Sequence, residues 1–433
     1  MAITAETAPV VMPIETPGYS AQAVLTDYVS LTEYMDAGFV YVHAGCRGRE
    51  VGAPAGVTDI KAAIRYLRYT NDTTPGAAEK IFVFGMSGGG AQSALVGATG
   101  DSELYEPYLK QIGAVQGVSD AVYGSMDWCP ITNLDSADEA YEWMMGVTRS
   151  NLSDEEQKIS DARAGRGGAL GRADAPKGTD GKERDGREPK KIDGENGADG
   201  MAGPDDTKKI GNKTYEDVDD ITRTETSDGI KISGTYKTAS DYIDALNANG
   251  KWVTYDDKTN KAKVTSVSDF VKAFKSVSKG IGAFDQLDAG QGENELFGYG
   301  DGNGAHFDTV LADILDKVDN SYAPDFEADL QKKDSVGYTV AQRVSMYTPL
   351  YYLLETEDGY GTSTPAKHWR IRTGIAQSDT ALTTEVNLAL ALENYSGVES
   401  VDFATVWGQK HVKAERTGSS DTNFITWVNE CMK

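Results

Sequence analysis

Cysteine is scarce in this chain: three residues, Cys46, Cys129 and Cys431, among 433. An odd count without a CxxC pair excludes a disulfide framework and a cysteine-based zinc site, so reduced thiols are expected and neither a metal nor a cofactor is called for. Histidine is nearly as rare, with four residues, His43, His306, His368 and His411. Chemistry that needs an imidazole therefore has few places to reside. Basic charge is also short, at 42 Lys and Arg against 67 Asp and Glu, a formal net charge of -25. Nucleic-acid binding needs clustered cations to neutralise phosphates, and the one modest cluster, near Lys190, sits among acids. The expected partners are small neutral molecules. No run of about 18 apolar residues occurs, so no segment is expected to span a bilayer. The opening MAITAETAPVVMP has no basic stretch ahead of an apolar one and does not read as a secretory signal, which makes the cytoplasm the expected compartment for the chain as given.

What is present is an alternation of short apolar runs with amphipathic stretches, the pattern of parallel strands joined by crossover helices. GFVYVHAG (38 to 45) reads as a buried strand, VTDIKAAIRYLRYT (57 to 70) as a helix and KIFVFG (80 to 85) as a second buried strand. AQSALVGATG (91 to 100) continues as a helix, and AVYGSMDWCPI (121 to 131) as a strand with its following loop. The alternation resumes late, with HWRIRTG (368 to 374) and VDFATVW (401 to 407) strand-like and TTEVNLALALENY and NFITWVNE helical. These blocks predict one α/β sheet domain from residues 1–134 and 366–433, interrupted by an inserted lid over 135–365. Within the insert, WVTYDDKTNKAKVTSV reads as a hairpin and DFVKAFKSV and FDTVLADILDKV as helices. Residues 161–206 carry no aromatic residue and few large apolar ones, too little to offset chain entropy, and are expected to be disordered.

Gly85-Met86-Ser87-Gly88-Gly89 follows a predicted strand and opens a predicted helix. Glycines there permit the tight turn that lifts a serine hydroxyl above a sheet, a nucleophile elbow. The competing reading, a phosphate cradle, lacks the Lys-Ser/Thr pair of a P-loop. A serine nucleophile needs a base, and in α/β-hydrolases acid and base follow on loops after late strands. His43 precedes Ser87 and falls in a predicted strand. His368 lies at the wrong end of its strand, and His306 belongs to the insert. His411, just after VDFATVW, stands where the base should be, and Asp379, in the IAQSD loop one strand earlier, is the matching acid, with Asp402 as runner-up inside the last strand. Asp379 would fix the imidazole tautomer, His411 would take the Ser87 proton, and the Gly88 N–H would be one donor to the oxyanion.

Stretches along the chain resemble the bacterial tannases of subtype B and their feruloyl-esterase-like relatives: TAETAP (4 to 9), APAGVTDIKAAIRYLR (53 to 68), GMSGGGAQSALVGATG (85 to 100), DWCPITNLDSADEAYEW (127 to 143), ELFG (295 to 298), HWRIRTGIAQSDTALTTEVNLALAL (368 to 392) and VDFATVWGQKHVKAERTG (401 to 418). The resemblance implies an α/β-hydrolase fold with a large inserted lid, a triad on Ser87, Asp379 and His411, and hydrolysis of galloyl or related hydroxyaromatic esters. In that family Lys, Glu and Asp side chains hold the ring hydroxyls. Candidates for this in the insert are Glu293, Glu295, Asp301, His306 and Asp308.

Two departures from the family pattern stand out. Where family members carry first strands and a Gly-rich loop that supplies the second oxyanion donor, only Met1, Ala2 and Ile3 precede TAETAP, so that donor is expected to be missing. Lys410 stands where the family has a small residue beside the histidine, and a cation there would lower the imidazole pKa or reach the substrate. The alternatives to a galloyl esterase are a feruloyl or general aryl esterase and an inactive homologue that binds phenolic ligands. A serine peptidase on the same fold is disfavoured because no propeller-like repeats precede the hydrolase block.

Overall fold

A computed structural model describes residues 3–26, 31–149, 152–166, 222–226, 229–233, 236, 238–248, 250–275 and 277–433. Six strands form a parallel sheet: β1 (Pro9–Ile14), β2 (Val40–Tyr41), β3 (Ala77–Met86), β4 (Gly124–Trp128), β9 (His368–Gly374) and β10 (Ser400–Val406), in the order β10-β9-β4-β3-β1-β2. The remaining strands make two antiparallel hairpins, β5 (Thr222–Thr226) with β6 (Gly229–Ser233) and β7 (Val253–Asp256) with β8 (Lys261–Val264). The predicted α/β-hydrolase architecture is thus the observed one. β4 and β9 are buried along their whole length although both carry polar residues, and the buried guanidinium groups of β9 are paired, Arg370 with Glu415 at 2.6 Å and Arg372 with Asp402 at 2.5 Å.

Parallel pairing brings the chemistry to one edge. Met86 lies opposite Trp128, Trp128 opposite Arg372 and Gly374 opposite Val406, so the loops leaving β3, β4, β9 and β10 emerge together. The loop leaving β1 joins them, since Ile14 pairs with Gly85. This is the edge at which open α/β sheets bind ligands.

Two differences from the sequence reading have clear causes. The run 38–45 pairs only over Val40 and Tyr41, because β2 is the sheet edge, and an antiparallel bridge between Gln22 and Cys46 draws the following residues away. His43 accordingly lies in a loop, with Nε2 3.0 Å from the Ala23 carbonyl. Conversely, PVVMPI forms a fully buried strand between β2 and β3. Its two prolines mask the strand signal in the sequence.

The helix Gly88–Ala98 is buried along its whole length. The insert shares the core of the sheet domain rather than forming its own, as Phe270, Phe274, Val340 and Tyr347 belong to one buried cluster with Val83, Leu95 and Ile371. At the β10 end, Trp407 stacks on Phe274 with centroids 4.9 Å apart and on Trp252 at 6.3 Å, and its indole N–H donates to Tyr242 Oη at 2.5 Å. The insert is therefore anchored four residues from His411. The helix Asp154–Arg166 extends into the stretch expected to be disordered. Three acids in its first turn complement the helix dipole, and Ile159 is buried against Leu311, Ile314 and Leu315. Residues 167–206, the rest of that expectation, lie outside the described residues. Among the described residues no helix is long and apolar enough to cross a membrane.

Candidate active site

Ser87 has φ 59° and ψ −124°, a conformation that non-glycine residues adopt only when their surroundings enforce it. The enforcement is visible. The Ser87 N–H donates to the Trp128 carbonyl at 3.0 Å, and the chain passes directly into the helix Gly88–Ala98. Gly88 and Gly89 pack against the backbone that leaves β1. A Cβ on Gly88 would stand 2.7 Å from the Thr16 oxygen, and one on Gly89 would overlap the Ile14 carbonyl. The two glycines let β1 and its loop close over the serine.

The chain leaving β1 thus closes on the elbow at the place where a second oxyanion donor was expected to be missing. The segment Thr16–Ser20 leaves β1 directly above Gly88, with Gly18 at φ 53° and Tyr19 at φ 61°. The turn is held at several points: Tyr19 N–H donates to Thr16 O at 2.9 Å, Tyr19 O–H to Ile131 O, and Arg49 Nη1 to Gly18 O at 2.8 Å. The Gly18 nitrogen lies beside Gly88, since a Cβ on Gly88 would stand 3.1 Å from it.

His411 sits in the loop after β10, half-buried, with Nε2 2.8 Å from Ser87 Oγ. Its other nitrogen faces two side chains of the loop after β9. Nδ1 is 2.9 Å from Gln377 Oε1, whereas the nearest oxygen of Asp379 is 3.7 Å away, beyond hydrogen-bond reach, on a side chain 45% exposed. The two residues share one short loop and differ by two positions, so the conformation of that loop sets how each faces the imidazole. Gln377 is fixed in turn. Its Nε2 donates to Glu385 Oε1 at 2.7 Å and to Thr373 Oγ1 at 2.8 Å, and its carbonyl accepts from Lys275 Nζ. The thiol of Cys129, buried and unbridged like the thiol of Cys46, reaches the Val412 carbonyl at 3.2 Å and steadies the histidine loop.

Burial lowers the His411 pKa below the ordinary imidazole value of 6.5. The negative charge of Asp379 opposes this, and the Lys279 ammonium adds to it. Lys279 is thus a cation acting on the imidazole, one that the sequence did not point to. Burial also pushes Glu385 up to about 7 and Lys275 down to about 8. Lys279 acts on Glu293 as well, a buried carboxyl raised by burial and held back by the Lys279 and Arg49 charges.

The other candidates have structural partners. Glu295 pairs with Arg49 at 2.7 Å and so acts on the Gly18 loop from behind. Asp301 accepts from the Asn303 N–H in an exposed turn, and Asp308 caps the helix Thr309–Lys317. His306 is buried on Asp285 at 2.7 Å and stacked on Phe326. Asp402 is engaged by Arg370 and Arg372, and His368 by Ser400. Gln377, Glu385, Lys275, Lys279 and Gly18 were not singled out from the sequence. Only Gly18 had a local signal there, a TPGYS turn following a short apolar run.

A parallel sheet with a strained serine at the strand–helix turn after β3 and a histidine after the last strand defines an α/β-hydrolase. The BD-FAE family model matches residues 2–164. Among solved structures, a tannase from Fusobacterium nucleatum is 28% identical with a TM-score of 0.65, covering 99% of this chain and 87% of its own. Tannin acyl hydrolases in complex with 3,4-dihydroxybenzoate and with ethyl gallate are each 26% identical with a TM-score of 0.65, covering 99% of this chain and 86% of theirs. No curated protein matches the chain. The chain is a tannase- and feruloyl-esterase-like protein, a carboxylic ester hydrolase.

Proposed function

We propose that this enzyme hydrolyses galloyl or related hydroxyaromatic esters through an acyl-enzyme on Ser87. The observation that carries the reading is the 2.8 Å contact between His411 Nε2 and Ser87 Oγ at a strained elbow. As Ser87 Oγ bonds to the ester carbonyl carbon, its proton passes to Nε2 and the carbonyl oxygen takes up the negative charge. The N–H groups of Gly88 and Gly18 are the two donors to that oxygen. The imidazolium then protonates the departing alcohol oxygen as the ester C–O bond breaks. Water attacks the acyl carbon, gives a proton to Nε2, and the acid leaves as Ser87 regains its proton.

The hydroxyaromatic reading is supported by the family likeness together with three side chains, Lys279 and Asp379, which act on the imidazole, and Glu293, on which Lys279 also acts. They are of the Lys, Glu and Asp types that hold ring hydroxyls in tannases, and Lys279 acts electrostatically on both His411 and Glu293. Residues 135–365 are the lid in this reading, closing the acyl pocket over the sheet edge. Two measurements test it. A fluorophosphonate probe should label the folded enzyme and fail to label Ser87→Ala, and an unlabelled folded wild type overturns the mechanism. Methyl gallate should be turned over faster than methyl ferulate, and both faster than methyl butyrate. A preference for the aliphatic ester overturns the substrate class.

A further inference from the structure

We infer that Lys275 is a positioning residue for the hydrolysis: reaching out of the insert, it holds the loop after β9 so that Asp379 stays beside the base. The inference rests on the serine-hydrolase reading above, with Asp379 as the acid. Asp379 is 45% exposed, with its nearest oxygen 3.7 Å from His411 Nδ1, so its place depends on the loop that carries it. Side chains of the insert grip the two residues just before it. Lys275 Nζ donates to the Gln377 carbonyl, and Ser278 Oγ donates to the Ser378 carbonyl at 3.2 Å. The sheet domain holds the near end of the loop, where Gln377 N–H donates to Gly374 O at 3.1 Å and Ala376 N–H to Gln409 O at 2.9 Å.

The same end of the insert also reaches the base. Lys275 directly follows Phe274, the last residue of the helix Val267–Phe274, and Phe274 stacks on Trp407 at the head of the His411 loop with centroids 4.9 Å apart. Acid loop and base loop are thus referred to one point of the insert, the first through an ammonium and the second through a ring. A buried ammonium is costly unless it is paired and hydrogen-bonded, and an apolar side chain could pack the same space. Lys275 is 6% exposed, and the groups that act on its charge, Glu385, Cys129 and Asp379, all come from the sheet domain. Glu385 works on the same loop. Its Oε1 accepts from Gln377 Nε2 at 2.7 Å and from Thr373 Oγ1 at 3.1 Å, so backbone and side chain of Gln377 are each held by one of two opposite charges. A cavity of about 560 Å³, lined also by Arg149, Lys272 and Lys279, reaches Lys275, so a small amine can take the place of its ammonium in a truncated variant.

The test is a set of full-length variants assayed on methyl gallate, with fluorophosphonate labelling in parallel. Lys275→Ala should lower kcat by roughly 100-fold with KM little changed, the cost of displacing a catalytic group by about 1 Å. Lys275→Met, close to lysine in volume, should lose about as much and keeps the test open if the alanine variant does not fold. Ser278→Ala, with one neutral hydrogen bond removed, should cost no more than about tenfold. Lys272→Met removes an exposed cation from the same cavity and should match wild type. Ethylammonium added to Lys275→Ala should raise kcat toward wild type, whereas tetramethylammonium, which carries the charge but no N–H to donate, should not. Wild-type kcat in Lys275→Met, a rise in KM with kcat unchanged, or a loss in Lys275→Ala that ethylammonium leaves unrepaired or tetramethylammonium repairs equally, overturns the inference. A wild type that the fluorophosphonate fails to label is a different failure, that of the serine-hydrolase reading itself.

Discussion

The two walls of the site are built in different ways. The nucleophile side is backbone: Ser87 in a left-handed conformation, with Gly88 and Gly89 pressed on the chain leaving β1. The base side is side chain: His411, Gln377, Glu385, Thr373 and Lys275, contributed by separate strands, helices and loops. A backbone-built wall needs particular residue types at fixed spacing and tolerates no Cβ. A side-chain-built wall asks only that groups from distant parts of the chain meet, and several residue types satisfy it. The first is brittle to sterics, the second to charge and hydrogen bonding.

That contrast sets the order of expected effects. Ser87→Ala removes the nucleophile and should lower kcat by about 10^4-fold or more, leaving only what the oxyanion donors and binding provide. Single-turnover release of gallate from methyl gallate measures it, and a loss below about 100-fold would mean that Ser87 is not the nucleophile. Gly89→Ala tests the same wall without touching a reacting atom. Its methyl would overlap the Ile14 carbonyl, so β1 must move from the elbow. The expected loss is about 1 to 3 kcal/mol in urea unfolding, the usual range for overpacking, with kcat falling as the Gly18 donor shifts. Unchanged stability and rate would show that the β1 loop is not part of the wall.

The same contrast explains what could be read from the sequence. The sheet was legible where strands are long and buried, at KIFVFG, HWRIRTG and VDFATVW, and the elbow was legible because GMSGG records a steric requirement. His411 was found by position alone, since only four histidines compete. β1 was hidden by Pro9 and Pro13, and with it the loop over Gly88. Gln377 was not singled out because strand order locates the loop but not every side chain in it that touches the imidazole. The carboxylate at 379 was chosen by its loop position, one strand before the histidine, and lies 3.7 Å from Nδ1. Glu385 reads as an ordinary helix residue in TTEVNLALAL, and only the packing of its helix beneath the β9 loop makes it a partner. The lid candidates Asp301, His306 and Asp308 were polar residues in a plausible place whose hydrogen bonds prove local.

On the base side the effects concern pH. Burial raises Glu385 from 4.5 to about 7, so the folded chain keeps a proton that the unfolded chain releases between those values. Stability therefore falls as pH rises through that window, by up to about 3 kcal/mol as an upper bound for one group. Glu385→Gln has no such proton to lose. Its stability relative to wild type should climb from pH 4.5 to 7 and level off above, as followed by urea unfolding at several pH values. Parallel curves for the two proteins would place the Glu385 ionisation outside the folded-state balance. Lys275, lowered from 10.5 to about 8, acts with the opposite slope at higher pH, where the unfolded chain holds the extra proton and stability rises from about 8 toward 10.5.

The smallest effect separates the two charges flanking His411. Lys279 favours the neutral imidazole and Asp379 the charged one. The base must be neutral to accept the Ser87 proton, so kcat/KM rises as pH climbs through the His411 pKa, which burial and Lys279 hold below 6.5. Lys279→Met removes the cation and should carry the acid limb to higher pH, while Asp379→Asn should carry it lower. Both displacements should shrink in added potassium chloride, because these side chains are partly open to solvent and the Debye length falls to about 3 Å at 1 M salt. An acid limb that stays in place in Lys279→Met, or moves down, would mean that burial alone sets the base and that the electrostatics of the mouth are silent in catalysis.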